Sequence, residues 1–334
     1  MAFSLIPKSS IQTIKWWRMR LTNKTSFIRE VKMSIFGWVK LLAYAIFRLY
    51  LLVTHQQIKV RSIEESIQII IRKRVSISRF GDGEFKWMFK EREPDNFEKN
   101  SPALAAALLE VVRTDRRGFQ VCIPDIFSGL KQYRRLDAFF WAGQLGHHGY
   151  QWVRTLDPRK TYLDSLLTRP YMIYKDRSQG PKLFNLIKQI WQGRTVLLVE
   201  GSQTRFGIGN DLLKNAASIK RIVCPSENAF ERYDEILDVI VRIVEKLKDP
   251  DILILISLGP TATILANDVN LKTSAQVLDI GHLDIEYSWM LMNADRKVPV
   301  AYKYVNEAQD GNRVHDIPNI FLNQYNQEVV AEVK

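Results

Sequence analysis

The sequence predicts an α/β fold, a Rossmann-like, mostly parallel sheet with helices on both faces, preceded by a basic hydrophobic N-terminal helix. Three observations predict it. Short runs such as TVLLVE (195–200) and DILILIS (251–257) are apolar throughout rather than alternating, as in strands buried on both faces. Stretches of helical spacing separate them. Polar, glycine-bearing clusters follow the strands, where open α/β sheets bind ligands. The composition fits: 46% hydrophobic and 25% charged residues exclude disorder for most of the 334-residue chain. Cys122 and Cys224 are the only cysteines and lie in apolar runs, which excludes a disulfide scaffold.

The first element carries the charge. The chain is +12 overall, and residues 1–62 hold eleven basic side chains against Glu30 alone, a net +10. Ile35 to Val53 reads IFGWVKLLAYAIFRLYLLV, interrupted by Lys40 and Arg48. As a helix it spans about 28 Å, close to the hydrocarbon thickness of a bilayer. Lys40, Tyr44 and Arg48 share one side, and such a polar stripe favours a helix lying in the interface. Trp16, Trp17 and Trp38 suit the headgroup region. The run starts late, contains charges and lacks a cleavage site, so it is a poor signal peptide. Residues 1–61 are therefore expected to be a membrane-associating extension that meets anionic lipid. The expected location is cytoplasmic, peripheral or single-pass at the inner face of the cell membrane. The competing expectation is a helix packed on the body. No nucleic-acid module is recognisable, so nucleic acid is not an expected partner.

The body is expected over 62–300, with a tail over 301–334 packing on it. Ser62 with Glu65 is a capping box before IEESIQIIIRKR. VSIS (75–78) reads as a strand, Ser101-Pro102 opens a helix and FQVCI (119–123) is a strand. Residues 127–180 read as helices and loops without clear boundaries. TVLLVE, KRIVCP (220–225), DILILIS and AQVLDIG (275–281) read as strands. Helices are expected from about Asn210, over 230–247, from Gly259-Pro260 and after Gly281.

Four clusters stand at strand ends. RFGDGE (79–84) sets Asp82 and Glu84 two residues apart, the oxygen ligands that Mg²⁺ or Mn²⁺ shares with phosphates, with Arg79 and Gly83 beside them. A bare D-x-E is more often an exposed turn. In EGSQTRFGIGN (200–210), Glu200 suits ribose hydroxyls and Arg205 a phosphate, while Gly201, Gly209 and Asn210 shape the loop. A plain strand-to-helix turn explains it equally. Gly259, Pro260, Thr261 and Thr263 present N–H groups and hydroxyls at a helix start, for phosphate binding or simple capping. DIGHLDIEY (279–287) offers His282, Asp284 and Glu286 as a general base for an incoming hydroxyl or a further metal ligand, or as an acidic first turn. His147-His148 reads as a surface pair on a loop.

Together, SISRFGDGEF (76–85), VEGSQTRFGIGNDLL with the following NAASIKRIVCPSENAF (199–230), LGPTATILANDV (258–269) and LDIGHLDIEYSW (278–289) resemble the bacterial GT-D type glycosyltransferases, a former domain of unknown function. Members are associated with sugar addition to surface adhesins and other glycans. The resemblance covers about residues 62–295, with four motifs in order. It implies a Rossmann-like sheet, a UDP-sugar donor (UDP-glucose in the first instance) and Mn²⁺ or Mg²⁺ held through a D-x-E that maps onto Asp82 and Glu84. The family pattern GHIDIEYEW has a Glu where this chain has Ser288. That departure moves the candidate base to Glu286 or Asp284.

The expected function is metal-dependent transfer of a hexose, glucose first among them, to a hydroxyl of a glycan, glycoprotein or lipid-linked acceptor at the membrane face. The rival readings are an S-adenosylmethionine-dependent methyltransferase using the 200–210 loop, and a catalytically degenerate membrane-bound transferase partner.

Overall fold

The Ser62 capping box forms as the spacing predicts: its hydroxyl accepts from Glu65 N at 3.2 Å, and Glu65 accepts from Ser62 N at 3.1 Å. In the computed structural model, which describes residues 37–89 and 97–334, that cap starts α2 (Ile63–Lys73). Before it lie a helix over 37–53 (α1) and a short strand, β1 (Lys59–Val60). The elements that follow are β2 (Ser76–Arg79), α3 (Asp82–Met88), α4 (Pro102–Arg113), β3 (Phe119–Ile123), α5 (Arg135–Thr155), β4 (Thr161–Asp164), α6 (Gly180–Lys188) and β5 (Thr195–Gly201). Then come β6 (Ser218–Cys224), α7 (Tyr233–Leu247), β7 (Leu253–Ser257), α8 (Pro260–Thr273), β8 (Gln276–Asp279), α9 (Leu283–Leu291), α10 (Asn319–Glu328) and β9 (Val329–Glu332).

Among the described residues the strands form one nine-stranded sheet in the order β1-β4-β3-β2-β8-β7-β5-β6-β9, and every pairing is parallel. The apolar runs explain this. Leu197, Val199, Ile254, Ile256 and Val277 are buried against Ile236, Ile240, Leu265 and Val269 of α7 and α8. Each such side chain contributes about 1.5–3 kcal/mol relative to exposure. Pro102 and Pro260 sit at helix starts, where a missing N–H costs nothing.

Four local expectations are corrected. No helix follows Asn210; residues 202–217 form a chain of turns, because Arg205, Gly207 and Gly209 all have positive φ. The strand β4 lies inside the stretch read as helices and loops. His147 and His148 lie within α5 and not on a loop. The tail does more than wrap the surface, since β9 is the sheet's last strand beside β6.

The described chain divides into two units, residues 37–56 with 139–150, and residues 57–138 with 151–334. In the first, α1 packs against the middle of α5 on a face carrying Gly143, Gly146 and Gly149. A Cβ on Gly146 would come within 2.9 Å of Tyr44 N, and one on Gly149 within 2.6 Å of the Phe47 ring. Phe47 is buried and meets Tyr150 edge-on at 5.4 Å. Among the described residues, no helix is long and apolar enough to cross a membrane. Residues 1–36 of the expected extension lie outside the described residues.

Candidate active site

The chain winds outward from β2 through β3 and β4 on one side, and β8 lies on the other side of β2. The connections leaving β2 and β8 therefore depart in opposite directions. Such a switch point opens a crevice at the carboxyl ends of the two strands. The loops entering it are RFGD from β2 and DIGH from β8.

Arg79 and Asp279 close the floor of the crevice. Their ion pair spans 3.4 Å, Arg79 N donates to Asp279 at 3.2 Å, and Thr263 Oγ1 donates to the same carboxylate at 3.1 Å. Glycine at 281 is required, because a Cβ there would lie 2.0 Å from the Arg79 guanidinium and the residue has φ +43°. The D-x-E is not an open loop but the first turn of α3. Glu84 turns back to accept from Gly81 N at 2.7 Å, half of a capping box, and burial raises its carboxyl pKa. Asp82 pairs with Lys86 one turn on at 3.3 Å. Gly83 fits under the Trp87 ring, where a Cβ would come within 3.0 Å, so its role is packing.

On the β8 side, α9 begins at once, and Asp284 and Glu286 fall in its first turn, where they complement the helix dipole. Glu286 is fully buried. Its Oε2 accepts from Met172 N at 2.9 Å and Tyr171 N at 3.3 Å, while Oε1 has no partner. Burial pushes its pKa up to about 7, against the pull of Arg169. Burial likewise lowers His282 to about 4, so the imidazole is neutral at ordinary pH. The His282 Nδ1 lies 3.3 Å from Glu307, which also pairs with Arg169 and Lys297. Despite burial, these cations hold Glu307 well below the usual carboxylate range. The Arg169 charge acts on Glu307, Glu286 and Asp82 together, linking the carboxylates of both loops.

Asp284 is engaged at both oxygens, by Asn210 Nδ2 at 2.7 Å and by the buried Lys303. Asn210 also donates to Ser288 Oγ at 3.2 Å.

A family model described as the glycosyltransferase GT-D fold matches residues 77–308. The chain belongs to this family. It is 34% identical over 279 residues to a probable glycosyl transferase Gly of Streptococcus gordonii, covering 83% of this chain and 39% of that protein. It is 35% identical over 277 residues to the glycosyltransferase GlyD of Streptococcus pneumoniae serotype 4, covering 83% of this chain and 33% of that protein. The chain thus spans about a third to two fifths of the curated relatives it matches. Among solved structures, it is similar to the highly conserved domain of unknown function 1792, described as having a distinct glycosyltransferase fold. There the TM-score is 0.76 at 33% identity, over 88% of this chain and all of that one. A glycosyltransferase of the same domain type from Streptococcus sanguinis gives a TM-score of 0.74 at 32% identity, over 83% of this chain and all of that one.

Within this GT-D chain the four clusters of the sequence meet, but not every residue does what its type suggests. Glu200 is not available to a ribose: it is fully buried at the end of β5, bonded to Arg221 at 2.6 Å and Phe206 N at 2.7 Å. Arg205 turns away from any phosphate and donates to the carbonyls of Tyr302 at 2.9 Å and His315 at 2.6 Å. Gly201 packs against Ser226, and Gly209 supplies a turn with φ +76°. At the α8 start, Pro260 is buried, Thr261 donates to Glu98 at 3.2 Å, and Thr263 Oγ1 shares its one proton between Asp279 and Arg79 O, the latter at 3.0 Å. The Phe97 ring covers Gly259, where a Cβ would come within 2.3 Å. Both hydroxyls thus serve internal bonds and not an open cradle. Asn210, and Asp211 beside it, which accepts from the Tyr287 hydroxyl at 2.6 Å, reach α9 after β8.

Sequence reasoning missed Arg169, Lys297, Lys303 and Glu307. Arg169 sits in the stretch without clear periodicity, and the other three lie in or beside the tail. Only charged residues in otherwise irregular segments pointed to them.

Proposed function

We propose that the chain is a glycosyltransferase that moves a hexose from a UDP-sugar to a hydroxyl of a glycan, glycoprotein or lipid-linked acceptor, working at the inner face of the membrane. Glucose is the sugar that the family resemblance favours. The observation that carries the chemistry is Glu286, a buried carboxyl with one unpartnered oxygen and a pKa near neutrality, beside the neutral His282 in the β2/β8 crevice. Either group suits removal of a hydroxyl proton at pH 7. Asp284 suits it less, since Lys303 and Asn210 occupy both its oxygens.

Asp82 and Glu84 supply the oxygen ligands that a hard cation takes, but in the first turn of α3 they point about 200° apart around the helix, with Glu84 bonded to Gly81 N and Asp82 to Lys86, so a cation bound to both would require one of these contacts to open. Among the described residues no group of three or more His, Cys, Asp or Glu gathers for a metal ion, so an all-protein cage is not expected. Mn²⁺ or Mg²⁺ held by Asp82 and Glu84 would supply positive charge against the departing diphosphate. Arg79 and Arg169 extend that positive field along the crevice. In the transfer, the sugar C1–O bond to UDP breaks with its electron pair leaving on UDP. A new C1–O bond forms to the acceptor, and the hydroxyl proton passes to Glu286 or His282.

A methyltransferase using the 200–210 loop is disfavoured, because Glu200 is held by Arg221 and no helix follows to face a ligand.

The test is UDP release from a panel of UDP-sugars by the full chain, with Mn²⁺ or with chelator. Metal-dependent release that Asp82→Asn abolishes without loss of fold is the expected result. Unchanged release in that variant would sink the metal assignment. Binding of S-adenosylhomocysteine in place of UDP would overturn the reaction class, and UDP binding without turnover on any acceptor would indicate a degenerate subunit.

A further inference from the structure

The amphipathicity of α1 runs the wrong way for a helix facing water. Lys40 and Tyr44 of its polar stripe do not face outward. The Lys40 stem lies against Gly143 and its ammonium stands 5.6 Å from the Phe139 ring centre, while Tyr44 backs onto Gly146. With Phe47, which is buried against Gly149 and Tyr150, these residues form the inner face on α5. The outward half of the helix is apolar: Trp38 is 71% exposed, Leu49 60% and Val53 70%, with Leu42, Ile46 and Leu52 completing the same side. An arc of that size, roughly half the circumference, exceeds the scattered apolar exposure of ordinary surfaces.

We propose that this outward face of α1, locked by the glycine face of α5, embeds in the interfacial layer of an anionic lipid bilayer. It would lie in the surface without spanning it. The inference rests on the membrane-face part of the functional reading and not on its chemistry. Three observations select lipid as the occupant. The Lys40 side chain of α1 is turned toward α5, as a hydrocarbon-facing helix requires. Trp38 stands at the N-terminal end of the exposed face, where an indole suits the headgroup level. The 36 residues before the described helix carry seven Lys and Arg against one Glu, complementary to anionic headgroups. Lys40 and Arg48 interrupt the apolar sequence of α1, and such a polar stripe favours a helix lying in the interface.

The glycines explain how the arrangement survives in water before docking. A small-residue face brings the two helix backbones close, so α1 is held by packing and not by burial of its larger apolar side.

The test uses the full chain and vesicles of phosphatidylcholine with or without phosphatidylglycerol. Flotation with the phosphatidylglycerol vesicles is expected, and Leu42→Glu with Leu49→Glu should reduce it about tenfold or more. Release of UDP from the donor in solution should be unchanged in that variant, which separates failure of the docking claim from failure of the enzymatic one. A second readout avoids dependence on the glutamate variant's folding. Cys122 and Cys224 are buried, so Leu42→Cys can be labelled alone with an environment-sensitive fluorophore. A blue shift on adding anionic vesicles is expected. No flotation of the wild type, equal flotation of the double variant, or an unshifted fluorophore would overturn the proposal. So would a concentration-dependent dimer that the double variant dissolves, since the face would then be covered by a second copy.

Discussion

At the scale of single residues, the crevice is defined by groups whose bonding is incomplete or strained. Glu286 keeps one oxygen without a partner in a buried setting, an arrangement that costs stability when the group is charged. Its carboxyl titrates near 7 instead of 4.5. Between those values the folded protein holds a proton that the unfolded chain has lost. Its contribution is therefore complete below about pH 4.5 and is lost as pH rises through 7. Glu286→Gln keeps an acceptor for the Met172 and Tyr171 amides and removes the titration. The fall in unfolding free energy between pH 5 and pH 7.5 should shrink in this variant by up to about 3 kcal/mol, read from urea melts at the two pH values. If Glu286 is the base, kcat/KM in the wild type rises with an apparent pKa near 7 and the variant loses that limb. A limb near 7 that persists unchanged in the variant would remove Glu286 as the base. Gly281 offers a second test. Gly281→Ala forces a methyl into the Arg79 guanidinium at a positive φ, so Arg79 must leave Asp279. A loss of about 1–3 kcal/mol in stability and a weaker hold on UDP in titration calorimetry are expected.

At the scale of elements, what the sequence made legible follows from burial on two faces. The strands β5, β6 and β7 were visible because parallel strands covered on both sides need continuous apolar residues, and α7 because Ile236, Ile240 and Val244 recur at helical spacing. Short β1 and β4, and β9 at the sheet's edge, carried no such signal. β9 alternates half-buried and exposed residues, and β4 is four residues long inside an aromatic-rich stretch. The candidate site was legible to the same extent: the strand-end loops offered Asp82, Glu84, His282 and Glu286 as candidates. The partners of those residues come from segments without periodicity. Polarity also misled, because a buried strand end can hold a charge for structural reasons. Arg221 of β6 lies between Glu200 and Glu328, at 2.6 and 2.7 Å, and so ties β5, β6 and α10 together. Arg221→Met leaves Glu200 buried without its cation and should cost about 3–5 kcal/mol in urea unfolding. Adding Glu200→Gln should recover much of that loss, a non-additivity expected of one network. Additive losses would mean that the two groups are not coupled.

At the scale of the whole sheet, the crevice belongs to neither end of the chain. Its floor joins β2 to β8, 200 residues apart in sequence at Arg79 and Asp279, and several of its other charges, Lys297, Lys303 and Glu307, come from the segment that follows α9. Lys303 neutralises Asp284, and Glu307 gathers Arg169, Lys297 and His282. The segment 301–334, expected from sequence to pack on a finished domain, therefore completes it. Two truncations separate its contributions. Removing 329–334 takes away β9 and bares the β6 edge, a row of unpaired backbone groups that invites association with another chain. That truncation leaves Lys303 and Glu307 in place, so it should retain UDP binding while light scattering reports aggregation. Removing 301–334 also strips the counter-charges from Asp284 and Arg169, both in buried surroundings, where an unpaired charge costs several kcal/mol. It should lose UDP binding and show a melting temperature far below that of the shorter truncation. If instead the longer truncation melts cooperatively at the same temperature and still binds UDP, the tail is a covering and the crevice is complete without it.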